Sequence, residues 1–323
     1  MIRARKILHS SRFVPSTTMP RSQLWTLRQR YESALHSFTA SSKTFEVLDT
    51  IAYPTQNCSR QEESIAISAA PLSTLYVLDS SFNPPTLAHL HIAKSALTSS
   101  TPRSHDLRSI RLLLLLATQN ADKPAKPALF EDRLVMMNLF ARDLLAAISH
   151  DYNTGAGGLP TVDIGVTSRP YFIDKASSIA ASGVYGPSDV QQVHLTGYDT
   201  LIRIFEPKYY PPAHTLEPLG PFLEKHKLRV TMRPDDGWGV GAEQRMFVEE
   251  LRDGGLEAVK GRREWAERIE MVEGMSVGEG GDGAVSSTRV RQMAAKKNGE
   301  GLKRFVTESV AEYVLDGEFY VED

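Results

Sequence analysis

The chain has 323 residues, of which 41% are hydrophobic and 24% are charged, and these fractions are typical of a folded globular protein and exclude a mainly disordered one. Lysine and arginine number 37 against 39 aspartate and glutamate, so the net charge of -2 gives no global reason to expect nucleic acid as a partner. The single cysteine, Cys58, excludes an internal disulfide, and the longest apolar run, Leu112–Ala117, is far shorter than the about 20 residues that span a bilayer. Together these features predict an intracellular protein without a transmembrane helix.

The first 30 residues carry seven basic side chains and no acidic ones. Such a start is typical of a solvated flexible tail and also of a mitochondrial transit segment, and the composition leaves both alternatives open. Between Gln23 and Phe45 apolar residues recur at spacings of three and four, which predicts an amphipathic helix. We interpret residues 1–21 as a basic flexible segment and residues 22–73 as a helical extension that docks on the main domain.

From residue 74 to residue 323, short β-branched or leucine-rich segments alternate with segments of helical periodicity. Near-continuous apolar strands alternating with helices predict a doubly wound α/β domain, in which helices cover both faces of a parallel sheet. Ligands of such sheets bind beyond the carboxyl ends of the strands. The predicted strands are Leu75–Leu78, Ile110–Leu116, Thr161–Val166, Val193–Leu195, Leu228–Met232 and Arg268–Val272. The predicted helices are Thr86–Leu97, Glu131–Ile148, Ile173–Ala181, Thr200–Phe205 and Glu243–Leu251.

The turn after the first of these strands has the features of an anion site. The strand ends at Asp79, two prolines stiffen the turn, and Thr86 opens a helix whose free N–H groups point back toward the strand end. Thr86 and His89 are three positions apart, so on a helix the hydroxyl and the imidazole share a face and converge on one phosphate. The alternative interpretation is a capped helix with a buried histidine.

The stretch from Ser81 to His89, Ser-Phe-Asn-Pro-Pro-Thr-Leu-Ala-His, resembles the nucleotidyltransferase signature in its nicotinamide mononucleotide adenylyltransferase form. Ser80 departs from that signature, because the family has glycine there and a side chain now occupies a place that is usually empty. The resemblance implies a Rossmann-like nucleotidyltransferase fold with an N-terminal helical extension. It also implies that Thr86 and His89 are catalytic. It assigns substrate contacts to the start of the turn, namely to Ser81, Phe82 and Asn83.

A second stretch near the end of the chain also carries the resemblance. Ser286, Ser287 and Thr288 combine helix capping with hydroxyl donors, and Arg291 lies one turn further on, where its charge can neutralise a phosphate. A plain helix cap is the alternative. The stretch is similar to the family's Ile-Ser-Ser-Thr-x-Ile-Arg, which implies that this helix start holds the triphosphate of ATP and that Arg291 takes part in catalysis.

Weaker stretches follow the family's order. Lys123, after the second strand, resembles a lysine that contacts the mononucleotide phosphate, and Arg133 resembles an arginine that binds phosphate; a solvated loop lysine and an acid-paired arginine are the alternatives. Gly197 and Asp199 are similar to Gly-x-Asp-x-Leu, which lines the adenosine side of the family's cleft, although Asp199 also fits a helix N-cap. The stretch Arg169–Lys175 lies where the family often places an aromatic residue near the pyridine ring, and buried aromatic core is the alternative.

The resemblance implies an adenylyltransferase that joins ATP and nicotinamide mononucleotide to give NAD and pyrophosphate, with Mg²⁺ bound mainly through the ATP phosphates. The balanced charge and the short apolar runs lead us to expect no nucleic-acid or membrane partner. The resemblance favours cytoplasm or nucleus, while the basic start also fits a mitochondrion. One alternative is another nucleotidyltransferase of this class that uses pantetheine phosphate, a flavin nucleotide or CTP. The other is a non-catalytic nucleotide-binding regulatory protein with residual ATPase activity.

Overall fold

The computed structural model describes residues 19–53, 72–99, 109–119, 128–151, 158–186, 190–233, 237–275 and 286–320. A seven-stranded sheet forms the centre of the molecule, with the strand order β1-β4-β3-β2-β5-β6-β7. Six strands are mutually parallel, and β1 pairs antiparallel with β4 at one edge. The strands are β1 (Phe45–Ile51), β2 (Thr74–Asp79), β3 (Ile110–Ala117), β4 (Thr161–Thr167), β5 (Gln191–Gly197), β6 (Lys227–Thr231) and β7 (Ile269–Val272).

Helices connect the parallel strands and cover both faces of the sheet, so the predicted doubly wound α/β architecture is confirmed. No described helix combines the length and the apolar character that a membrane crossing requires. The helices are α1 (Arg21–Ala40), α2 (Leu87–Ser99), α3 (Phe130–Asp151), α4 (Phe172–Ala181), α5 (Tyr198–Ile204), α6 (Gly220–Lys225), α7 (Gly241–Asp253), α8 (Ser287–Ala295), α9 (Gly299–Lys303) and α10 (Glu308–Gly317).

The leucine run of β3 shows why these segments form a covered parallel sheet. Leu112 and Leu114 point into one core, which also contains buried residues of α1, α2, α3 and α10. Leu113 and Leu115 point into a second core on the opposite face, together with Ile179 of α4. Since successive side chains of a strand face opposite sides, only a strand covered on both faces buries such a continuous run.

The strand order reverses at β2. The chain passes from β2 to β3 and β4 on one side and then returns to place β5 on the other side. In doubly wound sheets the crevice at such a switch point, beyond the carboxyl ends of the strands, is where ligands bind. Here the crevice lies between Asp79, the last residue of β2, and Gly197, the last residue of β5.

The segment before the main domain differs from its prediction. The predicted helix is present as α1 but ends at Ala40, and the helical interpretation of residues 22–73 did not include β1, which joins the main sheet. The Tyr31 hydroxyl donates to Asp49 at 2.8 Å and links α1 to this strand. The sequence of β1, Phe-Glu-Val-Leu-Asp-Thr-Ile, contains polar residues that suit an exposed edge strand. Because these residues interrupt the apolar run, the apolar pattern did not predict this strand. Residues 1–18 and Cys58 lie outside the described residues.

Candidate active site

The turn between β2 and α2 crosses the carboxyl edge of the sheet at the switch point. It runs from Ser80 to Thr86, and α2 begins at Leu87, one residue later than the prediction. Leu87 donates its N–H to the carbonyl of Phe305 at 2.8 Å, which ties the start of the helix to the C-terminal part of the chain. Phe82 has a φ of 44°, and its side chain is fully buried, so the ring fixes the centre of the turn in the protein interior. The turn is therefore held at its centre and at its end.

His89 lies on the first turn of α2 and is held at both ring nitrogens. Its Nδ1 accepts the backbone N–H of Thr86 at 3.0 Å and also contacts the Thr86 hydroxyl at 2.8 Å. An imidazole nitrogen that accepts a backbone N–H carries no proton, so the proton of the neutral ring is on Nε2. Nε2 lies 2.9 Å from the Ser80 hydroxyl and donates to it. Thr86 and His89 therefore converge, as predicted from their spacing, and fix one tautomer.

The electrostatic surroundings keep this imidazole neutral. Burial in the crevice, and secondarily the positive charge of Arg233, lower the pKa of His89 from 6.5 to about 4. A neutral ring with its proton on Nε2 is a hydrogen-bond donor in the crevice over the physiological pH range.

The second motif forms the start of α8. Ser286 is the N-cap residue, and its side chain accepts the backbone N–H of Arg289 at 3.3 Å. Thr288 is exposed in the first turn, and its hydroxyl accepts a hydrogen bond from Arg291 at 3.0 Å. Free N–H groups, hydroxyls and a guanidinium group are thus gathered at one helix start, which suits an anion.

The two motifs contact each other although they are far apart in the sequence. Arg291 donates to the backbone carbonyl of Asn83 at 2.9 Å across a separation of 208 residues, and Ser287 donates to the carbonyl of Pro84 at 2.9 Å. Tyr320 donates to the side-chain oxygen of Asn83 at 2.9 Å. The turn after β2, the start of α8 and the end of the described chain therefore form one unit, which places the hydroxyls and the guanidinium group of α8 at the same crevice as the turn.

Gly197 and Asp199 lie on the other side of the crevice. Gly197 is the N-cap residue of α5, so the alternative interpretation of Asp199 as the N-cap is wrong. Asp199 lies in the first turn and accepts a hydrogen bond from Arg233 at 3.2 Å. A Cβ atom at Gly197 would lie 2.8 Å from Oδ1 of Asp199, so the close approach of this carboxylate favours glycine. This arrangement puts an acid and a guanidinium group at the carboxyl ends of β5 and β6.

Arg133 is buried in the first turns of α3. Its Nε donates to the carbonyl of Ala128 at 2.9 Å, and its guanidinium group lies over the ring of Phe130 with 4.9 Å to the centroid. No carboxylate among the described residues forms an ion pair with Arg133, so the described structure does not support the alternative of an acid-paired arginine. Burial, with the nearby charge of Arg291 as a further cause, lowers its pKa. Two guanidinium groups whose charges act on each other favour an anion.

The remaining predicted residues are placed as follows. Ser81 is exposed in the turn, with its neighbour Phe82 buried beneath it. Tyr171, from the stretch after β4, is the N-cap residue of α4 and is 42% exposed, so it is not core. Phe172 is partly buried, and its ring lies 4.8 Å from that of His194. Lys123 and the rest of residues 120–127 lie outside the described residues.

Sequence reasoning missed Arg233 and Tyr320, which both contact residues of the predicted site. Arg233 follows β6 directly, and a charged residue just beyond a predicted buried strand was a signal that could have found it. Tyr320 had no such signal, because no local pattern indicates that a tyrosine after the last helix reaches Asn83, 237 residues earlier.

Comparison with known sequences finds one curated relative. A protein of Schizosaccharomyces pombe that bears the name "Putative nicotinamide mononucleotide adenylyltransferase" is 31% identical over 282 residues, which is 87% of this chain and 93% of that protein. No family model matches the chain.

Comparison with solved structures finds distant similarity. A Plasmodium falciparum nicotinic acid mononucleotide adenylyltransferase complexed with NaAD is 12% identical, with a TM-score of 0.45 over 77% of this chain and 97% of that one. Thermotoga maritima TmcAL bound with alpha-thio ATP is 14% identical, with a TM-score of 0.32 over 76% of this chain and 55% of that one.

Proposed function

This chain belongs to the nicotinamide mononucleotide adenylyltransferase family, and we propose that it joins ATP and nicotinamide mononucleotide into NAD with release of pyrophosphate. The observation that carries this proposal is the contact between the two motifs. The Arg291 and Ser287 side chains, at the start of α8, donate to the backbone of the turn that leads to His89. One crevice thereby combines an imidazole donor, a guanidinium group and a free helix N-terminus, all of which suit phosphate oxygens.

The proposed reaction needs no nucleophile from the protein. A phosphate oxygen of the mononucleotide attacks the α-phosphorus of ATP, a new P–O bond forms, and the bond to the β-phosphate oxygen breaks so that pyrophosphate leaves. The protein contributes positioning and stabilisation of the charge that spreads over the phosphoryl oxygens. When the substrates are bound, the Nε2–H of His89, which donates to the Ser80 hydroxyl in this structure, donates a hydrogen bond to a phosphate oxygen instead. Thr86 fixes the tautomer, and Arg291 balances negative charge.

The other site residues fall into three groups by position. In this proposal the start of α8 binds the triphosphate, and the carboxyl ends of β5 and β6 bind the adenosine. The region near α3 binds the phosphate of the acceptor. Ser81, Phe82 and Asn83 give the turn its shape. The first group is Ser286, Ser287 and Thr288, the second is Gly197, Asp199 and Arg233, and the third is Arg133. Lys123 lies outside the described residues and is assigned to the acceptor phosphate from the sequence alone.

Magnesium fits this arrangement as an ion that the nucleotide carries. Among the residues that the structure describes, no three histidine, cysteine, aspartate or glutamate side chains come together to hold a metal. Mg²⁺ commonly keeps water and substrate phosphates as ligands and needs few protein carboxylates. When bound, the ion neutralises part of the charge on the phosphate oxygens.

The test is product analysis with purified full-length protein, Mg²⁺ and a matrix of two nucleotides and three acceptors. ATP or CTP is combined with nicotinamide mononucleotide, phosphopantetheine or flavin mononucleotide, and products are identified by chromatography and mass spectrometry. The proposal expects NAD and pyrophosphate in equal amounts from ATP and nicotinamide mononucleotide. If product forms only from another nucleotide and acceptor, the protein catalyses a different reaction of this class. ATP hydrolysis without transfer to any acceptor would support the regulatory alternative.

A further inference from the structure

A polar cluster lies at the switch point on the face of the sheet that α4 covers. Asp79 ends β2 on the same face as Val77, which packs in the core that also contains Ile179 of α4. Leu78 pairs with Leu195 of β5, so extending this register by one residue puts Asp79 beside Thr196, on strands about 4.8 Å apart. Lys175 reaches from α4 to Asp79, with Nζ 2.5 Å from Oδ2. We call Asp79, Lys175 and Thr196 the switch-point cluster.

The cluster has hydrogen-bonding capacity that the described protein does not use. Thr196 is 8% exposed, and its hydroxyl makes no hydrogen bond with the described residues. Lys175 is also largely buried, with 11% of its side chain exposed, whereas 21% of the Asp79 side chain is exposed. The second carboxylate oxygen of Asp79 has no partner among the described residues. A buried hydroxyl without a partner and a mostly buried ion pair are weak contributors to stability, so a ligand is the better explanation for them.

The cluster lies next to the reacting groups. Asp79 directly precedes Ser80, whose hydroxyl contacts His89, and Thr196 directly precedes Gly197 at the end of β5. The Asp199–Arg233 pair lies further along the edge, toward β6. This edge of the sheet therefore carries two distinct polar groups, the switch-point cluster and the Asp199–Arg233 pair.

We propose that the switch-point cluster recognises the substituent on the base of the acceptor nucleotide and selects a neutral carboxamide over a carboxylate. This inference rests on the proposed function, since it assigns the specificity of that same site. A carboxamide has an NH₂ group that donates to the free oxygen of Asp79 and a carbonyl that accepts the hydroxyl of Thr196. A nicotinate carboxylate has no proton to donate and meets the negative charge of Asp79. Lys175 holds one carboxylate oxygen of Asp79 and compensates part of its negative charge, so it is a positioning residue.

The test compares kcat/KM for nicotinamide and nicotinate mononucleotides, at saturating ATP with Mg²⁺, in four full-length proteins. They are the wild type, Asp79→Asn, Lys175→Met and, as a control, Glu257→Gln, which lies in a surface ion pair with Arg263. The wild type is expected to prefer the nicotinamide acceptor by about tenfold or more. Asp79→Asn is expected to lower this preference about tenfold, mainly through KM for the acceptors, because it removes the repelling charge.

Lys175→Met is expected to change the preference in the opposite direction, because it leaves the negative charge of Asp79 uncompensated. Glu257→Gln is expected to keep the wild-type ratio. A preference that stays within twofold of wild type in Asp79→Asn would overturn the inference while the proposed function stands. A change confined to KM for ATP would indicate that the cluster binds the adenine of ATP, and this result would also overturn the inference. Wild-type protein that converts neither acceptor would overturn the proposed function, and the inference with it.

Thr196→Val is the second variant, in case the ion-pair variants do not fold. It removes a hydroxyl that has no partner in the described protein, so its melting temperature is expected to equal or exceed that of the wild type. Its kcat/KM for nicotinamide mononucleotide is expected to fall about fivefold to tenfold, with KM for ATP unchanged. An unchanged kcat/KM for this acceptor would remove Thr196 from the cluster and would contradict the inference.

Discussion

The hydroxyl of Ser80 lies 2.9 Å from Nε2 of His89, the ring nitrogen that Thr86 does not contact. The family has glycine where this chain has Ser80, and the backbone does not require glycine there, because Ser80 is not among the described residues with positive φ. The serine side chain therefore fills the place next to the imidazole without strain. Its hydroxyl completes the hydrogen bonding of His89, so the departure adds a contact to the site.

Replacing Ser80 tests whether this contact orients the imidazole. In Ser80→Ala the ring is held at Nδ1 alone, and we expect kcat to fall about threefold to tenfold with little change in the KM for ATP, which corresponds to one lost hydrogen bond. Ser80→Thr keeps the hydroxyl and is the matched control, with kcat expected near that of the wild type. Steady-state kinetics measure both. A kcat in Ser80→Ala equal to or above that of the wild type would mean that the hydroxyl does not position the ring.

Arg291 links the two motifs and faces the phosphates in the proposed mechanism. Arg291→Ala removes the hydrogen bond to the Asn83 carbonyl and one positive charge, so we expect kcat/KM for ATP to fall about 10² to 10³-fold. Arg291→Lys keeps the charge and is expected to recover part of the loss, because lysine lacks the forked donors.

The control for Arg291 is Lys296→Ala, which removes an exposed cation just after the end of the same helix. Its kcat/KM is expected to stay within twofold of the wild-type value. Equal losses in Arg291→Ala and Lys296→Ala would show that the effect comes from the overall charge of the helix and would contradict the assigned contact.

Three histidines with lowered pKa values predict a loss of stability in mild acid. Burial is the largest cause in each case, and it lowers the pKa of His89 and of His226 from 6.5 to about 4 and that of His194 to about 3. Between these values and 6.5 the unfolded chain binds protons that the folded chain does not. The free energy of unfolding is therefore at its full value above pH 6.5 and falls as the pH is lowered toward 4.

Urea unfolding at pH 7.5 and at pH 5 measures this dependence. We expect a lower midpoint at pH 5, and we expect His226→Gln to show a smaller difference between the two pH values than the wild type does. Equal midpoints at both pH values in the wild type would contradict the account of these histidines.

Much of the fold could be predicted from the sequence, because its central strands are apolar on both faces. The run Leu112–Leu116 is typical of a strand covered on both sides, and the six parallel strands lie where the pattern predicted them. β1 was missed because an edge strand needs no continuous apolar run. The short helices α6 and α9 were missed because five or six residues show too little periodicity, and tertiary contacts such as the buried Leu302 stabilise them.

The candidate site could be predicted where its residues lie close together in the sequence. Thr86 and His89 form a local spacing, and Ser286–Thr288 form a local cap. The contact between Arg291 and Asn83 depends on how the chain folds back over 208 residues, and no local pattern encodes it. The Asp79–Lys175 pair was missed for the same reason, since a strand end and a later helix must first come together.

The catalytic role of His89 is tested by comparing His89→Ala with His91→Ala, which changes a histidine two residues further along the same helix. His91 contacts the carbonyl of Glu273 and has no part in the proposed mechanism. NAD formation from ATP and nicotinamide mononucleotide is measured together with ATP affinity. We expect kcat to fall by about 10² or more in His89→Ala and to stay near the wild-type value in His91→Ala. Wild-type kcat in His89→Ala would contradict this role.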